Sequence, residues 1–230
     1  MAIKEQKYLL IVGRLSKQIN KEVHTHLFLC YYKDRITIEG DIMARRIAFI
    51  ACNDSFFEET FDFKYYCGFA ISQSRKSINS FHESIHNKYP NFNILEISSK
   101  SENPLGNKLS AFNLTLNIND KTYTVENIYH ASKVFELGGP YIDLLDVSPK
   151  NAKRNSRLKE SGKLISFSFM NKNYSNKPVT AFYNYIYSKA LYQHKDLVEE
   201  IIKYDSFTDI VYGNKAINCQ ARSASIFVYL

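Results

Sequence analysis

The sequence predicts an α+β protein, with a β-rich first segment over residues 1–67 and a mainly helical body with small β-sheets over residues 68–230. Short apolar or alternating runs fill the first segment, and after Ser72 the apolar spacing changes to a helical period. Short alternating runs then separate the later helices. A chain of 230 residues suits one large domain, or a main domain with a smaller appendage. Hydrophobic residues at 45% and aromatics at 14% are enough for a sizeable core, while eight Gly and five Pro leave little room for long linkers.

In the first segment, residues 7–13, 26–32, 36–39, 46–52 and 60–66 read as strands, with Lys33-Asp34 and Gly40-Asp41 as turns. From Ser74 or Ser77 a helix is expected in which Ile78, Phe81, Ile85 and Tyr89 recur at helical spacing up to Pro90. Residues 92–97 read as a buried strand opening onto Ser98-Ser99-Lys100-Ser101. Hydroxyls, amides and an ammonium there could face a phosphate, although the glycines of a P-loop are lacking. Residues 112–118 and 121–124 form a hairpin closed at Asn119-Asp120. A helical turn is expected over 141–145, then a helix from Ser148-Pro149 to Gly162, with the hydroxyl as N-cap and proline in the first turn. Residues 164–170 alternate like a strand, 179–191 and 196–204 are helical, and 205–209 form a loop carrying two carboxylates. The apolar end, 226–230, is expected to pack into the core.

Residues 121–137, KTYTVENIYHASKVFEL, read as a helix starting near Thr124 and stopping before Gly138-Gly139. Glu126, His130 and Lys133 then fall at i, i+4 and i+7 on one stripe, with Val125, Ile128, Tyr129 and Phe135 able to pack inward. A carboxylate, an imidazole and an amine in line suit acid–base chemistry on a substrate. A solvated face of an ordinary amphipathic helix gives the same pattern, and the helix alone does not decide between them.

Net charge is +7 and the pI about 9.0, which favours acidic partners such as polynucleotides or phosphorylated ligands. The excess is local. Residues 1–66 are nearly balanced, whereas residues 147–163 hold Lys150, Lys153, Arg154, Arg157, Lys159 and Lys163 against Glu160 alone. The four cysteines (30, 52, 67 and 219) form no CxxC and no metal spacing with histidine, and His24-x-His26 has no carboxylate or cysteine cluster beside it. No metal or other cofactor is expected. Neither a signal peptide nor a membrane-spanning run is apparent, so a cytoplasmic protein with reduced thiols is expected.

TYTVENIYHASKVFE resembles the signature helix of the NADAR superfamily (the YbiA-like fold) through Thr124, Val125, Glu126, Tyr129, Ala131 and Lys133. LSAFN at 109–113 is similar to that family's SNF element, keeping Ser110 and Phe112. AKR at 152–154 is similar to its AKRLGR element. His130 stands where the wider family commonly has Gln. A longer similarity, to the branch that acts as antitoxin to DarT-type DNA ADP-ribosyltransferases, runs through residues 68–78, 93–113, 132–145, 180–187 and 204–224.

That resemblance implies a glycohydrolase that removes ADP-ribose from guanine in DNA and so reverses a DarT-type toxin. Its partners would be ADP-ribosylated DNA, the ADP-ribose product and such a toxin, with no membrane. Glu126 would meet the ribose, Asp209 would be a second carboxylate, and Lys133 and Lys153 would hold charge or attack C1′. Ser99, Lys100, Ser110 and Arg154 would bind the pyrophosphate. Phe112, Tyr129 and Phe207 would stack on a base, and Arg222 lies in a matched motif. Two alternatives use the same residues: a non-catalytic reader of ADP-ribose or modified DNA, and an N-glycosidase acting on a riboflavin-pathway intermediate. The first 67 residues could also bind a protein partner.

Overall fold

The computed structural model describes residues 36–38, 41–52, 55–211 and 219–230, and the chain divides into two compact units. The strands expected at 7–13 and 26–32, the His24/His26 pair, Cys30, the Lys33-Asp34 turn and Gly40 lie outside the described residues. The fold is α+β, as expected.

The first unit to describe joins, among the described residues, those from Ile36 to Ser110 with those from His194 to Leu230. Strands β1 (Ile36–Ile38), β2 (Asp41–Cys52), β3 (Ser55–Lys64), β4 (Ile94–Glu96) and β10 (Ser206–Thr208) share one sheet. β2 and β3 form a long antiparallel ribbon in which Arg45 opposes Asp62 and donates to it twice, at 2.7 and 2.8 Å. β10 pairs antiparallel with β2 and parallel with β4, so the sheet joins strands from both sides of residue 67. Helix α1 (Ile71–Lys88) lays Ile78, Phe81 and Ile85 against this sheet. The Phe81 ring stacks on Phe63 at 4.7 Å. Short helix α2 (Pro104–Lys108) passes so close to β4 that a Cβ on Gly106 would meet the Glu96 carbonyl at 1.9 Å. Helices α7 (Lys195–Ile201) and α8 (Gln220–Tyr229) complete the unit.

Three expectations are corrected here. Helix α1 starts at Ile71, before either serine proposed as its cap. Both hydroxyls are otherwise engaged: Ser74 with the Lys100 amine at 3.0 Å, and Ser77 with the Tyr66 amide and the Gln73 carbonyl. The loop expected over 205–209 contains a central strand. Ser206 and Thr208 look like loop residues in sequence, yet both are fully buried, and the Thr208 hydroxyl donates to Glu96 at 2.7 Å. Near the apolar end Ile226 is buried, while Tyr229 and Leu230 are exposed.

The second unit covers residues 111–193 among those described. β5 (Thr115–Ile118) and β6 (Lys121–Thr124) form the expected hairpin, and Asn119 and Asp120 both take positive φ, 48° and 62°, as a tight primed turn requires. Thr124 then caps helix α3 (Val125–Ala131), its hydroxyl accepting from the Asn127 amide at 3.2 Å. The helix is short because its last carbonyls have tertiary partners. Ala131 O accepts from Tyr141 N at 2.9 Å and Ser132 O from Ser168 N at 2.7 Å, leaving neither for another helical turn. The expected helix to residue 137 is therefore corrected: Lys133–Phe135 is strand β7.

β7 pairs with β8 (Leu164–Phe169), which turns at Met170-Asn171 into β9 (Lys172–Ser175), a strand with no counterpart among the expected elements. The helix expected from Ser148 to Gly162 is broken into α4 (Pro149–Arg154) and α5 (Arg157–Glu160). Asn155 breaks it, its side-chain oxygen accepting from both the Arg157 amide (3.1 Å) and Nε (3.0 Å). Lys150, Lys153, Arg154 and Arg157 thus do not line one continuous helix. Helix α6 (Ala181–Gln193) contributes Phe182, stacked on Phe167 at 4.3 Å, and Tyr183, edge-on to Tyr129 at 5.1 Å.

The 3-10 turn Ile142–Leu145 is tied to α3 by Asn127, whose amide donates to the Leu144 carbonyl at 2.6 Å and the Val147 carbonyl at 2.8 Å. Asn127→Ala would leave both acceptors short of a donor in a largely buried seam. It should cost about 1–3 kcal/mol, read as a lower midpoint in urea denaturation. A midpoint equal to wild type would mean that other contacts hold the turn.

Candidate functional site

Helix α3 is buried on almost every side, and Glu126 goes inward with it at 5% exposure. A lone carboxylate there would be expelled or protonated. Two neighbours prevent this: His130 Nε2 lies 3.1 Å from Glu126 Oε1, and Lys153 Nζ lies 3.2 Å from the same oxygen. Burial pushes the Glu126 pKa up, but the hydrogen bond from His130, the charge that ring carries when protonated at low pH, and the Lys153 ammonium outweigh it. The carboxyl titrates below its ordinary value.

His130 is buried too, and its other ring nitrogen, Nδ1, lies 3.1 Å from Lys133 Nζ. Burial lowers its basicity first, the Glu126 bond opposes this, and Lys133 and Lys153 add to the lowering, so the imidazole titrates below its usual range. Lys133 leaves β7 opposite Phe167 and sets its amine 4.3 Å from the Tyr129 ring centroid. Burial brings the amine down to about 8, with Glu126 raising it and Lys153 lowering it. Lys153 lies in the last turn of α4, is half exposed, and sits 5.1 Å from the centroid of Phe112. One side of the unit therefore carries an ionised carboxylate, a neutral imidazole, an amine that can lose its proton near neutral pH, and a second ammonium beside an aromatic ring. This set can stabilise positive charge at a sugar carbon, bind an anion, or supply a nucleophilic amine.

The structure thus brings together Glu126, Lys133, Lys153, Phe112 and Tyr129, with Arg154 exposed next to Lys153. His130, expected on the same stripe without an assigned role, lies between Glu126 and Lys133. Arg157 is committed elsewhere, to Asp143 and to the face of Tyr141 at 4.4 Å.

The other expected residues lie in the sheet unit. Asp209 is buried; Oδ1 accepts from Val211 N at 3.0 Å, and the Cys219 thiol lies 3.9 Å from Oδ2. Ser99 is exposed, and Lys100 reaches Ser74. Ser110 is buried, as is Arg222, which pairs with Glu58 at 2.6 Å. Phe207 is fully enclosed in β10 and presents no open face for stacking on a base. Among the described residues no three His, Cys, Asp or Glu side chains group as a metal site. None of the helices among them is long and apolar enough to cross a membrane.

The Lys133 titration is open to direct test by NMR of 13Cε-labelled lysine, with Lys133→Arg for assignment. The wild-type midpoint should fall at about 8. Glu126→Gln removes the group that raises it and should move it lower. Lys153→Met removes a like charge and should move it higher. A midpoint above 10 in the wild type would contradict the burial assigned to this amine.

A protein-family model described as DarT1-associated NADAR antitoxin matches residues 44–230. No curated protein was found to match the chain.

Proposed function

The chain belongs to the DarT1-associated NADAR antitoxin family, and from that premise we propose that it is a glycohydrolase that removes ADP-ribose from guanine bases of DNA, undoing the product of a DarT-type toxin. The observation that supports this best is Glu126, a buried carboxylate kept ionised between a neutral imidazole and an ammonium. Breaking the bond between ribose C1′ and the guanine amino nitrogen builds positive charge on the sugar, and a fixed anion at that carbon lowers the barrier. Lys153, exposed beside Phe112, is suited to the diphosphate or to the departing base.

Lys133 admits two roles. As an ammonium it holds charge. As a free amine it can bond to C1′ while the electron pair of the breaking bond leaves on the guanine nitrogen, which takes a proton; ring opening then gives an imine that water hydrolyses. A lysine in its neutral form near pH 8 fits the second role. The exposed Lys150, Arg154, Lys159 and Lys163 suit DNA phosphates. Asp209, Ser99, Lys100, Ser110 and Arg222 are further substitution targets in the same assay.

Incubation with a guanine-ADP-ribosylated oligonucleotide should release ADP-ribose. Glu126→Gln should lower the rate by about 10²–10³-fold, with Lys153→Ala also slower. Intact substrate after incubation with folded wild-type protein would overturn the assignment and favour a non-catalytic reader. Borohydride added during turnover should trap an adduct on Lys133 if the amine attacks; full activity with no adduct would leave the lysine an electrostatic role. Rising salt should weaken oligonucleotide binding, and an unextruded base in duplex DNA should react more slowly than one in a single strand. Equal rates on the two substrates would remove the need for extrusion.

A further inference from the structure

We propose that His130 is a positioning residue: Glu126 holds it as the Nε2–H tautomer, and its Nδ1 fixes the Lys133 amine by a hydrogen bond that leaves the amine lone pair open. The chemistry of the neighbours dictates the tautomer. A carboxylate only accepts, so the nitrogen facing Glu126 at 3.1 Å carries the hydrogen. A lysine ammonium only donates, so the nitrogen facing Lys133 at 3.1 Å must accept. A neutral ring with hydrogen on Nε2 satisfies both, and at 7% exposure the ring has little access to water as an alternative partner. The lowered basicity of the imidazole agrees with this neutral form.

The arrangement matters for what Lys133 can do. Once deprotonated, the amine still has N–H bonds to donate to Nδ1, so its lone pair points away from the ring. The opposite tautomer would donate to that lone pair and block it. The groups that bear on Lys133 are Glu126, Tyr129 and His130 from α3 and Lys153 from α4. From β8 the facing residue is the apolar Phe167, and from α6 the neutral Tyr183 packs on Tyr129. Asp143 and Arg157 pair with one another. His130 is thus the uncharged hydrogen-bonding group that these contacts place between the amine and the carboxylate.

This inference rests on the glycohydrolase reading only in giving Lys133 a substrate, so its test has readouts that need none. 15N NMR of the histidines in the wild-type protein at pH 7 should show His130 neutral with hydrogen on Nε2. An Nδ1–H tautomer or an imidazolium would overturn the proposal without any variant. Lys133 titration, followed through 13Cε, should stay within a few tenths of a unit in His130→Gln, whose amide can both donate and accept. It should fall by about one unit in His130→Phe, which fills the space without either bond and leaves the ammonium without its acceptor. The rising limb of the pH–rate profile on ADP-ribosylated oligonucleotide should move with it. A purely structural His130 would lower stability in both variants and leave the Lys133 midpoint in place, which would also overturn the proposal. If the wild type released no ADP-ribose while the tautomer and titration behaved as described, the glycohydrolase reading would fail and the positioning role would stand.

Discussion

A carboxylate taken out of water must be matched by something, and the helical unit is arranged around meeting that demand at Glu126. Helix α3 cannot turn the residue outward, because Val125, Asn127, Ile128 and Ala131 are buried on the remaining sides. Compensation therefore comes from side chains, a histidine one turn on and a lysine from α4. The supporting contacts follow from that need. Asn127 ties the 3-10 turn to α3, and Leu144 and Ala152 pack on Ala131 beside it. That packing brings α4, and with it Lys153, up to the acid.

The sheet unit buries a carboxyl too, with the opposite outcome. Glu96 accepts from Thr208 Oγ1 and from the Ile210 amide. Burial nonetheless drives its pKa up, and the bonds from Thr208, Ile210 and Ser98 and the more distant Lys100 do not reverse it. Neutral donors satisfy the oxygens of Glu96, whereas the His130 hydrogen bond and an ammonium 3.2 Å away together stabilise the charge of Glu126. Enclosure alone does not fix the state of an acid; its partners decide which proton state persists. His82, 2.8 Å from Thr208, belongs to the same neutral network, and burial pushes it down to about 4.

Much of the fold was legible because local chemistry and tertiary need agree. Asn119-Asp120 can only close a tight hairpin, and Thr124 and Ser148 cap the helices they precede. The α3–β7 junction was not legible. VENIYHASKVFEL has good helical spacing throughout, and what stops it is a pair of carbonyls bonded to Tyr141 and Ser168, far along the chain. Likewise Ser206-Phe207-Thr208 has the composition of a loop and becomes a strand because β2 and β4 flank it. In the site, Glu126, Lys133 and Lys153 came from the stripe and the family resemblance. His130 stands on the same stripe, but which neighbours its two ring nitrogens meet is a tertiary fact. Phe207 was chosen as an aromatic in a matched motif, and its burial in the sheet is a tertiary fact.

The early end of α3 has a further consequence. Had the helix continued, Lys133 would extend from a helical backbone whose end can fray. On β7 its backbone is instead clamped by the ladder to β8, and its methylene stem runs to a ring nitrogen fixed by α3. A lysine is among the side chains with most rotational freedom to lose when it must meet a partner in one orientation. Here that loss is taken when the chain folds, before any ligand arrives. Under the proposed reading, an incoming sugar would meet an amine already ordered, and more of the contact energy would remain for binding or for the transition state.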